Sequence, residues 1–221
     1  CAISSALGLS VQAHVLDFSE AYDRYMGVNA FYGTNNKNMP YQSVYVNRTV
    51  VRPGRRDDIY DRLGMLPSEL LKQKSVLDVG CNIGMNAIGA IKSGASRVVG
   101  LEVSLEMANY ATRFAIFDDC YKDVEFREFN VDEEILPASE MYDVAFMLSV
   151  HNHLQRPEAL AKIAKNHVEH AVVFECHPDT ELEDYKDFID AGGFSKKEKI
   201  SVLGTSVFDR SPTRPLWILY K

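Results

Sequence analysis

The stretch from Ser75 to Ser104, SVLDVGCNIGMNAIGAIKSGASRVVGLEVS, limits the possible folds more than any other part of the chain. A short apolar run leads into a turn carrying Gly80, Asn82 and Gly84. A helix-forming segment follows, then a second apolar run ending on a lone acid, Glu102. Apolar runs of this length between helical segments read as strands buried on both faces of a sheet. The rhythm continues downstream. Strands are predicted at 75–80, 97–102, 124–129, 142–149 and 170–176, with helices at 84–93, 104–117, 156–168 and 180–191. Alternation of this kind predicts βαβ units and a parallel sheet with helices on both faces. In the tail, FSKKEKISVLGTS and RPLWILYK are strand-like and joined by a proline-bearing loop, which predicts a closing antiparallel hairpin.

Upstream, the pattern is looser. Val11, Val15, Tyr22 and Tyr25 stand at helical spacing, and RPGRRDDIYDRLGMLPSELLKQK reads as a turn and a broken helix. The expected organisation is an N-terminal helical and loop cap over 1–60 and an α/β domain over 61–221. With 221 residues, 46% of them hydrophobic, the chain can bury one full core. No run of about 18 apolar residues occurs, so no membrane span is expected. The first residues lack a basic region and are expected to be a partly ordered terminus, not a signal peptide. Cysteines fall at 1, 81, 120 and 176 without a C-x-x-C pair. That spacing argues against a zinc knuckle or disulfide framework and for a cytoplasmic protein. A net charge of −7 disfavours a broad grip on nucleic acid, although NRTVVRPGRRDD is a local basic patch.

In a doubly wound sheet, ligands bind outside the carboxyl ends of the strands, where strand order reverses. The turn 78–84 lies at such an end. Gly80 and Gly84 let the backbone bend sharply and approach a ligand. A dinucleotide pyrophosphate prefers G-x-G-x-x-G. Counted from Gly80, its glycines would fall on Asn82 and Met85, so the spacing is wrong. The pattern suits a cofactor with an amino acid end instead: Asp78 can meet an ammonium group, and Asn82 can pair with polar atoms. Glu102 is placed to accept the hydroxyls of a ribose. Asp132, after the third strand, is placed for an adenine amino group. Leu101, Val103 and Met107 are expected to line an apolar slot.

VLDVGCNIG together with VVGLEVS resembles motifs I and II of the class I S-adenosylmethionine-dependent methyltransferases, over about residues 60–220. The resemblance implies a doubly wound, mostly parallel seven-stranded sheet and S-adenosyl-L-methionine as cofactor. On the matching positions it implies cofactor binding by Asp78, Gly80, Asn82, Gly84, Glu102 and Asp132, with Ser149 at the end of the fourth strand. Asn82 departs from the glycine many members carry; GCNxG variants occur, some among RNA-modifying members.

Such an enzyme must align acceptor and sulfonium methyl, and remove a proton from a hydroxyl or ammonium acceptor. The base candidates lie in MLSVHNHL and VVFECHPD, after the fourth and fifth strands. His151 is the first choice, since an imidazole titrates near neutrality; His153 and His177 are the alternatives. His151 and His153 are one residue apart, without helical i, i+4 spacing, so no metal site is expected there. Arg48, Arg52, Arg55 and Arg56 read as a solvated turn paired with Asp57 and Asp58, or as a source of one carboxylate-binding arginine. Arg210 and Arg214 are a second candidate anion contact. Tyr22, Tyr25, Phe31, Tyr32, Tyr41 and Tyr45 could form an aromatic lid over the sulfonium, or pack on the sheet. The leading expectation is methyl transfer to an oxygen or nitrogen of a small polar or anionic metabolite. RNA, particularly tRNA, is the enzymatic alternative. A nicotinamide oxidoreductase, disfavoured by the glycine spacing, and a noncatalytic cofactor-binding regulatory module are the readings from other classes.

Overall fold

The computed structural model describes residues 40–204 and 213–221. The segment containing Tyr22, Tyr25, Phe31 and Tyr32, the expected helix at 11–26, and Arg210 lie outside them. Residues 40–60 carry a small hairpin, β1 (Val44–Val46) and β2 (Thr49–Arg52), and the start of α1 (Ile59–Met65). A short α2 (Ser68–Leu71) follows, so the broken helix expected there is two helices parted by Pro67. Proline suits the residue before a first helical turn, where an amide hydrogen has no helical partner.

The domain then alternates β3 (Ser75–Val79), α3 (Met85–Lys92), β4 (Arg97–Glu102), α4 (Leu105–Phe117), β5 (Val124–Glu128), β6 (Tyr142–Leu148), α5 (Glu158–His167), β7 (Val168–Glu175), α6 (Lys186–Gly192), β8 (Lys196–Gly204) and β9 (Thr213–Tyr220). The seven strands lie in the order β5-β4-β3-β6-β7-β9-β8. β3 to β7 pair in parallel, and β9 runs antiparallel to both β7 and β8. The segment 131–140, too acidic and short to be expected as a helix, forms turns.

The apolar runs sort by alternate residues, as a pleated strand requires. Val76, Val98, Val144, Phe146 and Val173 face one layer, covered by Ile59 and Leu63 of α1, Ile88 of α3 and Phe114 of α4. Leu77, Val99, Ala145, Met147 and Val172 face the other, covered by Leu160 of α5 and Phe188 of α6. Both faces are dry, which is why these strands read as unbroken apolar runs.

This topology fixes where a ligand can enter. From β3 the chain winds outward through β4 to β5, then returns to β6 on the other side of β3 and winds on to β7. The loops after β3 and β6 therefore diverge and leave a crevice at their carboxyl ends. No helix among the described residues is long and apolar enough to cross a membrane.

Candidate active site

The turn after β3 folds back over the end of β4. The Gly80 and Cys81 amides both donate to the Leu101 carbonyl, at 2.8 and 3.0 Å. Such a reversal needs left-handed backbone, found at Gly80 (φ +73°), Asn82 (φ +53°) and Gly84 (φ +77°). Asparagine tolerates this region better than other residues with a Cβ, which explains how Asn82 stands where glycine is common. Gly84 has a second constraint. A Cβ there would lie 2.5 Å from Phe126 Cζ and 2.8 Å from the Ala111 methyl. Gln42 also braces the turn, accepting from the Met85 amide at 3.2 Å and donating to the Cys81 carbonyl at 3.4 Å.

Glu102 is tied into this turn. Its Oε2 accepts from the Asn82 amide at 2.8 Å and its Oε1 from the Ser104 amide at 3.1 Å. Each carboxylate oxygen keeps a further acceptor position for a hydroxyl. Beside it, Val103 and Leu105 are 60% and 53% exposed, an apolar edge at the crevice. Leu101 and Met107 do not share that edge. Leu101 lies inside the sheet and Met107 in the packed core, so of the three residues expected to line a slot only Val103 is exposed. Asp132 closes the far side. Its carboxylate accepts from the Gln155 and Arg156 amides at 3.0 and 2.7 Å, joining the loop after β5 to the approach to α5.

Asp78 is buried at the end of β3. The Ala87 amide, in the first turn of α3, bonds its carboxylate, but Oδ2 has no partner among the described residues. Burial drives its pKa from an ordinary 3.8 to about 7; Arg62 acts to lower it, and Glu102 adds to the rise. Asp78 shares a cavity of about 30 Å³ with Tyr41, Gln42, Arg56, Arg62, Gly80 and Asn86. Arg62 Nε is also buried without a partner. An acceptor oxygen of Asp78 and a donor N–H of Arg62 are thus both unpaired, among the described residues, around a space about the size of one water.

The arginine patch is not a solvated turn. Arg56 is 4% exposed and reaches across the molecule: Nη1 and Nη2 donate to the two oxygens of Glu175 at 2.9 and 3.1 Å. Its Nε and Nη2 also donate to Asp58 at 3.1 and 3.0 Å. Arg62 contacts Asp58 at 2.9 Å and Glu175 at 3.2 Å. Burial alone would raise the pKa of Asp58, but Arg62 and Arg56 hold it near 2, and the same pair holds Glu175 below its ordinary value. Ser149, strained at φ +56°, donates to Glu175 at 2.7 Å and accepts from Arg214 Nη1 at 2.6 Å. Arg48 lies apart, bonded to the Lys92 carbonyl with its guanidinium over the Tyr60 ring.

The three histidines sit at the carboxyl ends of β6 and β7. His151 and His153 bound a short 3-10 turn, and Val150 packs against Gly80, so this loop touches the turn after β3. His151 is edge-on to Tyr185 with centroids 4.9 Å apart, and burial lowers its pKa, leaving it a neutral base at pH 7. His153 and His177 face each other with centroids 6.4 Å apart. None of the three caps α5, whose first turn follows Pro157. Tyr45 packs edge-on against Tyr60 and donates to the Asp57 carbonyl, a core role; Tyr41 alone of the described early aromatics borders the Asp78 cavity.

Two other features lie away from the crevice. A groove of about 580 Å³ between the hairpin, α1 and α2 includes Tyr45, Tyr60, Leu66 and Ser93, but no residue from the carboxyl ends of the strands. Asp143, Glu169 and His170 cluster at the opposite ends of β6 and β7, where Lys74 and Ser75 already bond the Asp143 carboxylate.

Comparison with known proteins agrees with this fold. A family model described as a methyltransferase domain matches residues 52–206. A probable protein arginine N-methyltransferase 3 of Arabidopsis thaliana is 35% identical over 85 residues, 38% of this chain and 14% of that protein. The chain thus spans about a seventh of the length of that relative. Among solved structures, the N-terminal domain of EvdMO1 with SAH and D-fucose superposes with a TM-score of 0.67 at 14% identity, covering 94% of this chain and 98% of that one. Magnesium protoporphyrin IX methyltransferase (ChlM) of Synechocystis PCC 6803, with bound SAM, gives a TM-score of 0.57 at 17% identity, covering 94% and 97%. With its glycine turn, buried Asp78 and strand-ending Glu102, the chain belongs to the class I S-adenosylmethionine-dependent methyltransferase superfamily.

Proposed function

We propose that the domain transfers a methyl group from S-adenosylmethionine to an oxygen or nitrogen of a small polar or anionic metabolite. The observation that carries this reading is the set of polar groups at the carboxyl ends of β6 and β7: His151 against Tyr185, the His153–His177 pair, and Arg214 on Ser149, whose neighbour Val150 packs on Gly80. S-adenosylmethionine supplies an electrophilic methyl on a sulfonium, which needs alignment more than activation. Asp78 takes the ammonium end. The outward acceptor positions of Glu102 receive the ribose hydroxyls, with the adenine between Val103 and Leu105 and its amino group directed to Asp132. Gly80, Asn82 and Gly84 shape the backbone, and Ser149 holds the loop after β6 in place.

His151 acts as general base. Its lowered pKa keeps it neutral and able to accept the acceptor's proton at physiological pH. His153 and His177 are the alternatives for the same step. The imidazole is partly buried against Tyr185 and Phe174, and this burial is what lowers its pKa.

An RNA substrate would require a continuous basic surface and a steep salt dependence. Of the early arginines, Arg56 is withdrawn from the surface into ion pairs, which shortens the basic stretch there. The deciding assay supplies methyl-labelled S-adenosylmethionine to three separate pools: small metabolites, total RNA and protein. Label is expected in the small-metabolite pool and lost with His151→Asn. Label in RNA or protein alone overturns the substrate assignment. Binding of S-adenosylhomocysteine with no transfer to any pool favours a regulatory module.

A further inference from the structure

Arg214 is the outermost member of the buried ion pairs. Glu175 is fully buried, and both its oxygens already receive the two terminal nitrogens of Arg56, with Arg62 beside them. Arg214 stands farther off, its Nη1 3.6 Å from Glu175 Oε1 and bonded instead to the Ser149 hydroxyl. Its Nε is buried and has no partner among the described residues. Among the described residues, the carboxylates within ion-pair distance of Arg56, Arg62 and Arg214 are Asp58 and Glu175.

His177 and His153 lie near Arg214, since Ser149, which Arg214 bonds, also reaches the Cys176 carbonyl at 3.4 Å. Their rings are 6.4 Å apart, and neither imidazole is bonded to a carboxylate among the described residues. Burial, Arg214 and His153 together lower the pKa of His177; exposed Asp179 is the carboxylate that opposes them. The His177 amide donates to the Tyr185 hydroxyl, and Thr180 bonds the same hydroxyl, so this loop is held in one geometry. The locus also joins the transfer site. Ser149 bonds Arg214, and the next residue, Val150, packs on Gly80.

We infer that the methyl acceptor carries a carboxylate or phosphate group, and that this anion is seated between Arg214, His177 and His153. The inference rests on the methyltransferase reading and deepens it by naming the acceptor's chemical class. Guanidinium and imidazole N–H groups converging on one side form the donor set that oxyanions prefer. An anion there would meet the Arg214 guanidinium, whose side chain keeps 14% exposure. It would also anchor the acceptor at one end, leaving a hydroxyl or amine elsewhere on the molecule for His151.

The test uses the full chain saturated with S-adenosylhomocysteine, whose binding to each variant is first measured by calorimetry. Ring protons of His153 and His177 are then followed by NMR during titration with inorganic phosphate and, separately, acetate, against chloride at equal ionic strength. Saturable shifts of both rings are expected with at least one oxyanion and not with chloride. A stronger response to phosphate assigns a phosphoryl acceptor; a stronger response to acetate assigns a carboxylate. Arg214→Gln is expected to weaken the response at least tenfold with unchanged S-adenosylhomocysteine affinity. His177→Asn, which removes a half-buried ring and no ion pair, is expected to weaken it at least threefold for His153. Absence of shifts in a protein that binds S-adenosylhomocysteine, or equal shifts in all three proteins, overturns the inference. Failure to bind S-adenosylhomocysteine at all overturns the methyltransferase reading instead.

Discussion

Replacing Asp78 by asparagine separates a residue kept for folding from one kept for a ligand. Asp78 is fully buried, bonded by the Ala87 amide and otherwise unpaired at Oδ2, with its pKa raised from 3.8 to about 7. An acid whose folded pKa is raised binds more protons folded than unfolded between those two values, so stability falls as pH rises through that window. The penalty is absent below the unfolded value and complete above the folded one. A shift of this size corresponds to about 4 kcal/mol at pH 8 and about 2 kcal/mol near pH 5.5. Asparagine removes the charge but brings an amide that needs its own partner, a cost of about 1–3 kcal/mol. The unliganded variant should therefore be more stable than the wild type at pH 8 by about 1–3 kcal/mol, or several degrees in Tm. The advantage should shrink by about 2 kcal/mol near pH 5.5.

Thermal unfolding of both proteins at the two pH values measures this, and the difference between them cancels the titration of every other carboxylate. Binding gives the converse result. S-adenosylhomocysteine should stabilise the wild type and bind the variant far more weakly, because the ammonium loses its counter-charge. In the wild type at pH 7, where Asp78 is half protonated, ligand binding should release about half a proton. Calorimetry in buffers of different ionisation enthalpy reads that release. A variant less stable than wild type at pH 8, or a stability gap equal at both pH values, would refute the reasoning.

Three further substitutions probe the frame. Gly84→Ala forces a Cβ into Phe126 at a left-handed residue and should cost at least 1–2 kcal/mol, about the left-handed backbone term alone, in denaturant unfolding; an unchanged midpoint would show that the turn yields freely. Glu175→Gln leaves Arg56 and Arg62 with Asp58 as their one remaining carboxylate partner among the described residues and should destabilise by about 3–5 kcal/mol, measured by urea titration. His151→Asn should reduce turnover of an identified acceptor about 10²–10⁴-fold while leaving S-adenosylhomocysteine affinity unchanged. In the wild type, the acid limb of the pH–rate profile should fall below the ordinary imidazole pKa, since burial lowers that of His151; a limb above it excludes His151 as the base.

Much of the frame was readable because its signals are local. The strands expected at 97–102 and 142–149 form as Arg97–Glu102 and Tyr142–Leu148, since runs such as VVGLE and VAFML have few alternatives to a doubly covered strand. The turn from Asp78 to Gly84 was equally legible, because glycine spacing and a strand-ending acid are short-range patterns. Helix ends shifted by one or two residues, as at α3, whose last turn stops at Lys92. The helix expected at 180–191 divides into a 3-10 turn, Leu182–Tyr185, and α6, with the Glu181 and Asp184 side chains bonding each other's backbone at the turn.

The buried arginines were illegible for a different reason, and that reason bears on the site. RPGRRDD has the composition of a solvated turn, and within a local window Arg56 pairs with Asp58 as any surface arginine might. Its burial follows from Glu175, 119 positions later, which the strand order brings to the end of β7. Glu175 itself closes the apolar run AVVFE, where nothing nearby hints at a cation. Two partners that depend on one another across the fold leave no periodic signature in either segment. Buried ion pairs rarely add stability over an apolar core of equal volume, so their presence calls for another cause. Here the network spans from the hairpin-bearing segment at Arg56 to the end of β7 and holds Ser149 between them. It fixes the two walls of the crevice relative to each other, so the same charges that hold Asp78's cavity in shape also set the distance to the histidines above β6 and β7.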